Sequence, residues 1–187
     1  KLFDKQDGRI LCCKFDKTEN ILVTGNLKNH ICNVHLFICL LIFNYCVGSI
    51  QTIRIWNVAT GQALHKMSTA RAEQKKETII WCLEITDDLT IVSGDSRGRL
   101  TFWDGKLGEQ IESLQTHKAD ILSICLSEDQ NSLYCAGVDP VIVSYTKVKM
   151  KHKGSEHEYV EKWVKSIQRN IHQHDVRYLI LCAYSSH

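Results

Sequence analysis

Short apolar runs and polar turns alternate along this chain at spacings that favour strands over helices. The runs "ILCCKF" (10–15), "IIWCLE" (79–84) and "ILSICL" (121–126) are rich in β-branched and apolar residues, as buried strands are. Each leads through an acidic or polar turn into a second short strand that closes on a small residue and glycine: "FDKTENILVTG" (15–25), "ITDDLTIVSG" (85–94) and "LSEDQNSLYCAG" (126–137). Each unit therefore begins with a hairpin. A third shared element follows in "TIRIWN" (52–57), "RLTFWD" (99–104) and "VIVSYT" (141–146), alternating in period two and ending on an aromatic and a polar residue. The fourth is "GQALHKM" (61–67), "GEQIESL" (108–114) and, after a longer linker, "EKWVKSI" (161–167). Trp56, Trp103 and Tyr145 mark a period of 47 and then 42 residues, within the range of blade and solenoid arrays. The pattern predicts an all-β chain of repeated four-stranded blades.

One stretch breaks the period. "HLFICLLIFNYCV" (35–47) is the most hydrophobic segment, yet its unbroken apolar run covers only 36–43, against the roughly 20 residues that a membrane-spanning helix needs. It also lies too far inside the chain for a signal peptide. Excising 26–48 joins "ILVTG" to "SIQTIRIWN", which matches "TIVSGDSRGRLTFWD" within one residue. The segment 26–48 thus reads as a hydrophobic insertion in a strand-to-strand turn of the first blade, where polar residues are the rule, and as a translated intron. At the other end, "IHQHDVRYLILCAY" (171–184) opens a fourth unit without finishing it. The expectation is an incomplete propeller over 1–187, about three and a half blades, whose closure needs further sequence.

Composition changes this picture little. With 44% hydrophobic and 24% charged residues the chain can bury a core, and a net charge of +2 is too small to argue for nucleic acid on its own. The nine cysteines follow no disulfide or CxxC spacing and read as reduced, mostly buried thiols of an intracellular protein.

"RIWNVATG" (54–61), "RLTFWD" (99–104) and the His-x-x-Asp-hydrophobic pattern of "HKADI" (117–121) and "HQHDV" (172–176) resemble WD40 repeats. That resemblance implies a β-propeller whose blades carry a hydrogen-bonded set: His before the first strand, Ser or Thr on the second, Asp in the next turn and Trp on the third. Carried over by position, the third blade keeps His117 and Asp139 but has Ala136 at the Ser/Thr place and Tyr145 at the Trp place. The second keeps Ser93 and Trp103, with Lys75 and Arg97 where His and Asp belong; Trp56 is the aromatic of the first blade and His172 opens the fourth. "RIWNVATGQALHKM", "STARAEQKKETIIW" and "WVKSIQRNIHQHDVR" further resemble WD40 proteins of the nucleolar small-subunit processome, over about 8–177 without the insert.

Sharper chemistry is thinly supported. His117, Ser123 and Asp139 supply the residue types of a hydrolase triad, but no nucleophile-elbow sequence accompanies them. His172 and His174 alternate as two metal ligands could, without a third ligand placed by the sequence. The segment 147–160 reads as a basic inter-blade loop, with Lys147, Lys149, Lys151 and Lys153 at every second position. Such a run could meet RNA phosphates, although no aromatic is interleaved to stack on bases. No cofactor, metal, membrane or small-molecule substrate is expected. The resemblance implies a non-enzymatic nucleolar scaffold whose partners are other processome proteins, pre-rRNA and the U3 particle, acting in processing toward 18S rRNA. The alternative is a WD40 adaptor of a ubiquitin-ligase or signalling complex.

Overall fold

A computed structural model describes residues 6–18, 21–32, 52–68, 78–151, 159–170 and 173–180, with 6–10, 26–32 and 151 as backbone. Among the described residues, twelve strands form three four-stranded antiparallel sheets, each assembled in chain order. The first holds β1 (Gln6–Phe15), β2 (Ile21–Cys32), β3 (Thr52–Asn57) and β4 (Ala63–Ser68). The second holds β5 (Ile80–Ile85), β6 (Thr90–Asp95), β7 (Arg99–Asp104) and β8 (Glu109–Gln115). The third holds β9 (Ile121–Leu126), β10 (Ser132–Gly137), β11 (Val141–Lys151) and β12 (Tyr159–Asn170). Among the described residues no helix is long and apolar enough to cross a membrane.

The turns follow from the side chains that enter them. At the first hairpin of each sheet an aspartate accepts a nearby backbone N–H: Asp16 from Ile21 at 2.7 Å, Asp88 from Thr90 at 3.1 Å and Asp129 from Asn131 at 3.1 Å. Between the third and fourth strands, Asp104 accepts from Lys106 and Leu107, and the turn closes through Gly108 at φ +74°. Asn57 and Gly61, at φ +79°, repeat this in the first sheet. The "WN…G" and "WD…G" signatures are therefore Asx turns closed by a glycine in the left-handed region.

Burial falls from the inner strands to the outer ones. Strand β6 is buried along nearly its whole length, whereas β8 and β12 are largely exposed. The apolar cores lie between sheets. Val23, Ile53, Ile55 and Met67 of the first meet Ile80, Leu83, Ile91 and Trp103 of the second. On its opposite face the second sheet brings Val92, Leu100 and Phe102 against Leu133, Val143, Tyr145 and Trp163 of the third. Alternation along β7 sends Trp103 to one neighbour and Phe102 to the other, which is how a two-period strand serves two cores. Phe102 stacks on Trp163 with ring centroids 5.8 Å apart and an 18° interplanar angle. Gly25 and Gly94 are required where an inner strand of the next sheet passes. A Cβ on Gly25 would stand 3.1 Å from Ile80 Cγ2, and one on Gly94 would stand 2.7 Å from Ile121 Cγ2.

Three readings change. The first seven residues of the insert continue β2 instead of leaving it: Asn26 and Leu27 pair with Ile10 and Arg9, and Ile31 and Cys32 with Asp7 and Gln6. The rest of 26–48 lies outside the described residues. Pairing of β2 with β3 is unaffected, since Gly25 faces Ile53 as Gly94 faces Leu100. Secondly, the expected loop 147–160 begins and ends as strand. Lys147 to Lys151 remain in β11, paired with Trp163 to Tyr159 of β12, because lysine alternating with Val148 and Met150 keeps a two-residue period. Thirdly, the described part of the fourth unit, 173–180, contains no strand; it is tied to the third sheet by Val176 N–H donating to Gly137 O at 2.8 Å.

Candidate functional site

The positions singled out as structural gather inside the sheets. In the second, Trp103 Nε1 donates to Ser93 Oγ at 2.9 Å, both buried. The first sheet repeats this with Trp56 Nε1 and Thr24 Oγ1 at 3.1 Å, a partner the sequence reading did not name. In either case an indole N–H that would be costly to bury alone is satisfied by the second strand.

The third sheet departs from both. Its register places Leu133 opposite Tyr145 and Cys135 opposite Val143, as Ile91 faces Trp103 and Ser93 faces Thr101. Cys135, and not Ala136, therefore stands at the Ser/Thr position. The slip has a physical source: Ala136 pairs with Ser123 as Gly94 pairs with Cys82, while Gly137 takes the register of Asp95. Counting back from the glycine consequently lands one residue late. Cys135 Sγ lies 3.6 Å from both His117 Nε2 and Val143 O. His117 Nδ1 is 3.7 Å from Asp139 Oδ2, which accepts the Lys118 N–H at 2.6 Å. Tyr145 turns its phenol to Thr116 Oγ1 at 2.8 Å. Burial lowers the His117 pKa against the raising effect of Asp139, and burial pushes the Cys135 thiol up to about 12. Both groups are held neutral.

In the second sheet Asp95 takes over the tight turn, accepting from Arg97 N–H at 2.8 Å and Arg99 N–H at 2.9 Å. Gly98, at φ +73°, brings its carbonyl to the His117 N–H at 3.0 Å, and a Cβ there would meet His117 O at 2.2 Å. Lys75 and His172 lie outside the described residues.

The triad residue types are brought together only in part. Ser123 Oγ accepts the Leu179 N–H at 3.0 Å, and it is the Cys135 thiol that occupies His117 Nε2. A thiol held protonated this far above neutrality is a poor nucleophile. Among the described residues no group of three or more His, Cys, Asp or Glu is placed to hold a metal. Cys12 and Cys82 sit at equivalent places on β1 and β5 and donate across to the next sheet, to Ile80 O and Ile121 O, each at 3.6 Å. Burial raises both thiols' pKa values. Of the five cysteines whose side chains are described, Cys135 is buried and Cys12, Cys13, Cys82 and Cys125 are partly exposed.

The lysine run has two kinds of member. Lys147 is fastened, 2.9 Å from Glu161 and 3.3 Å from Asp88 of the second sheet. Burial pulls its pKa down, but those carboxylates outweigh this and raise it. Lys149 is 74% exposed and only 3.7 Å from the same Glu161. Lys151 is the last residue of β11, and Lys153 lies outside the described residues. Further ion pairs bridge the first and second sheets on the same side, Lys14 with Glu84 at 2.9 Å and Lys17 with Asp87 at 3.0 Å. A cavity of about 300 Å³ opens on the far face of the third sheet, lined by Tyr134, Ile142, Ile167 and Arg169 together with Leu179 and Ile180.

Residues 108–144 match the family described as WD domain, G-beta repeat. The chain is 28% identical to the human U3 small nucleolar RNA-associated protein 4 homolog over 178 residues, 94% of this chain and 22% of the relative. It is 34% identical to the U3 small nucleolar RNA-associated protein 4 of Saccharomyces cerevisiae over 142 residues, 72% of this chain and 17% of the relative. The chain thus spans about a fifth of the length of the curated relatives it matches. Among solved structures, the WD40 repeats of RRP9 superpose with a TM-score of 0.65 at 14% identity, covering 95% of this chain and 43% of that one. U3-55K gives 0.64 at 14% identity, covering 95% and 44%. At that identity the likeness speaks for the fold alone.

Proposed function

We propose, for a chain that carries WD40 repeats and is homologous to U3 small nucleolar RNA-associated protein 4, a non-catalytic scaffold role in ribosome biogenesis. In this reading the protein helps assemble the small-subunit processome in the nucleolus, engaging other processome proteins, pre-rRNA and the U3 particle, and supports processing toward 18S rRNA. The alignment over 94% of the chain with the human relative carries the reading.

The geometry supports it in two ways. Sheets locked through shared cores and inter-sheet ion pairs form a stiff frame, and stiff frames let exposed loops hold separate partners at fixed distances. The buried Cys135 thiol and His117 imidazole are neutral and in contact with each other, which suits a structural part and not a bond-making one. The run Lys147, Lys149, Lys151 and Lys153 is the proposed RNA contact. Of its two described side chains Lys149 is the exposed one, and Lys147 is committed to holding the hairpin on the second sheet.

Depletion and rescue test the role. Loss of the full-length protein is expected to deplete 18S rRNA and accumulate its unprocessed precursors on a northern blot, with recovery on re-expression of the insert-free protein. Undisturbed 18S production after depletion would remove the proposal.

A further inference from the structure

We draw no further inference here: the strongest candidate, the exposed apolar patch of Leu107 and Ile111 on the outer rim of the second sheet, beside Leu64 of β4, carries nothing because nothing in the structure shows what covers it.

Discussion

Trp163 is the single buried residue of β12, at 8% exposure, and its indole is where the third sheet leans on Phe102 of the second. Truncating a buried Trp to Ala costs about 3–5 kcal/mol. Trp163 sits at the rim of its cluster, where water can enter the space left behind, so Trp163→Ala is expected near the lower bound, about 3 kcal/mol. Of this, roughly 0.5–1.5 kcal/mol belongs to the stacked pair itself. Amide hydrogen exchange of the full-length protein reads the effect locally, and peptides from β11 and β12 should exchange roughly a hundredfold faster if they open through this contact. Peptides from β2 and β3 should change far less. Trp163→Phe keeps a ring on Phe102 and should recover most of the protection. Adding Phe102→Leu should then expose a coupling of about 0.5–1.5 kcal/mol in a double-mutant cycle. Acceleration below about threefold, or strict additivity of the two substitutions, would refute the claim that this stack fastens the sheets.

Other perturbations address the buried polar sets. Ser93→Ala strands the Trp103 indole N–H and is expected to lower stability by about 1–3 kcal/mol in chemical denaturation, with Ser93→Thr nearly neutral. Because burial holds the His117 pKa below its unfolded value of 6.5, His117 disfavours protonation when folded; its contribution is complete above pH 6.5 and is lost as pH falls through the lowered pKa. Melting temperatures of the wild type and His117→Asn, compared between pH 7.5 and 5.5, should therefore converge on acidification, and parallel curves would remove His117 as the source. For 26–48, sequencing of the messenger RNA is expected to join the codons of Gly25 and Ser49; a continuous message encoding the segment would retain it in the mature protein.

Most of the fold was legible because each local choice agreed with the next. In the second sheet the polar turn at 86–89, the glycine at 94 and the Trp-Asp end of β7 all repeat elements found in the first, so period and pairing could be read together. Where one marker shifted, the reading shifted with it. Gly137 sits one register later than Gly94, so a count back from the glycine reaches Ala136, and only the strand pairing places Cys135 at that position. Residues 147–151 of β11 read as a loop from the sequence because four lysines look solvated, although "TKVKMK" alternates as a strand does. The commitment of Lys147 to Asp88 and Glu161 was not legible at all. Asp88 lies 59 residues away, and only the packing of one sheet on the next brings it near.

The most direct test of the scaffold reading is the RNA recovered with the tagged, full-length, insert-free protein from cell extract, washed at moderate and then at high salt. Lysine–phosphate contacts alone weaken steeply with salt, whereas membership of a protein-held assembly survives it. The account predicts U3 RNA and early pre-rRNA enriched over other abundant RNAs under both washes. Recovery of background RNA only, with no enrichment of U3 at either salt, would contradict it.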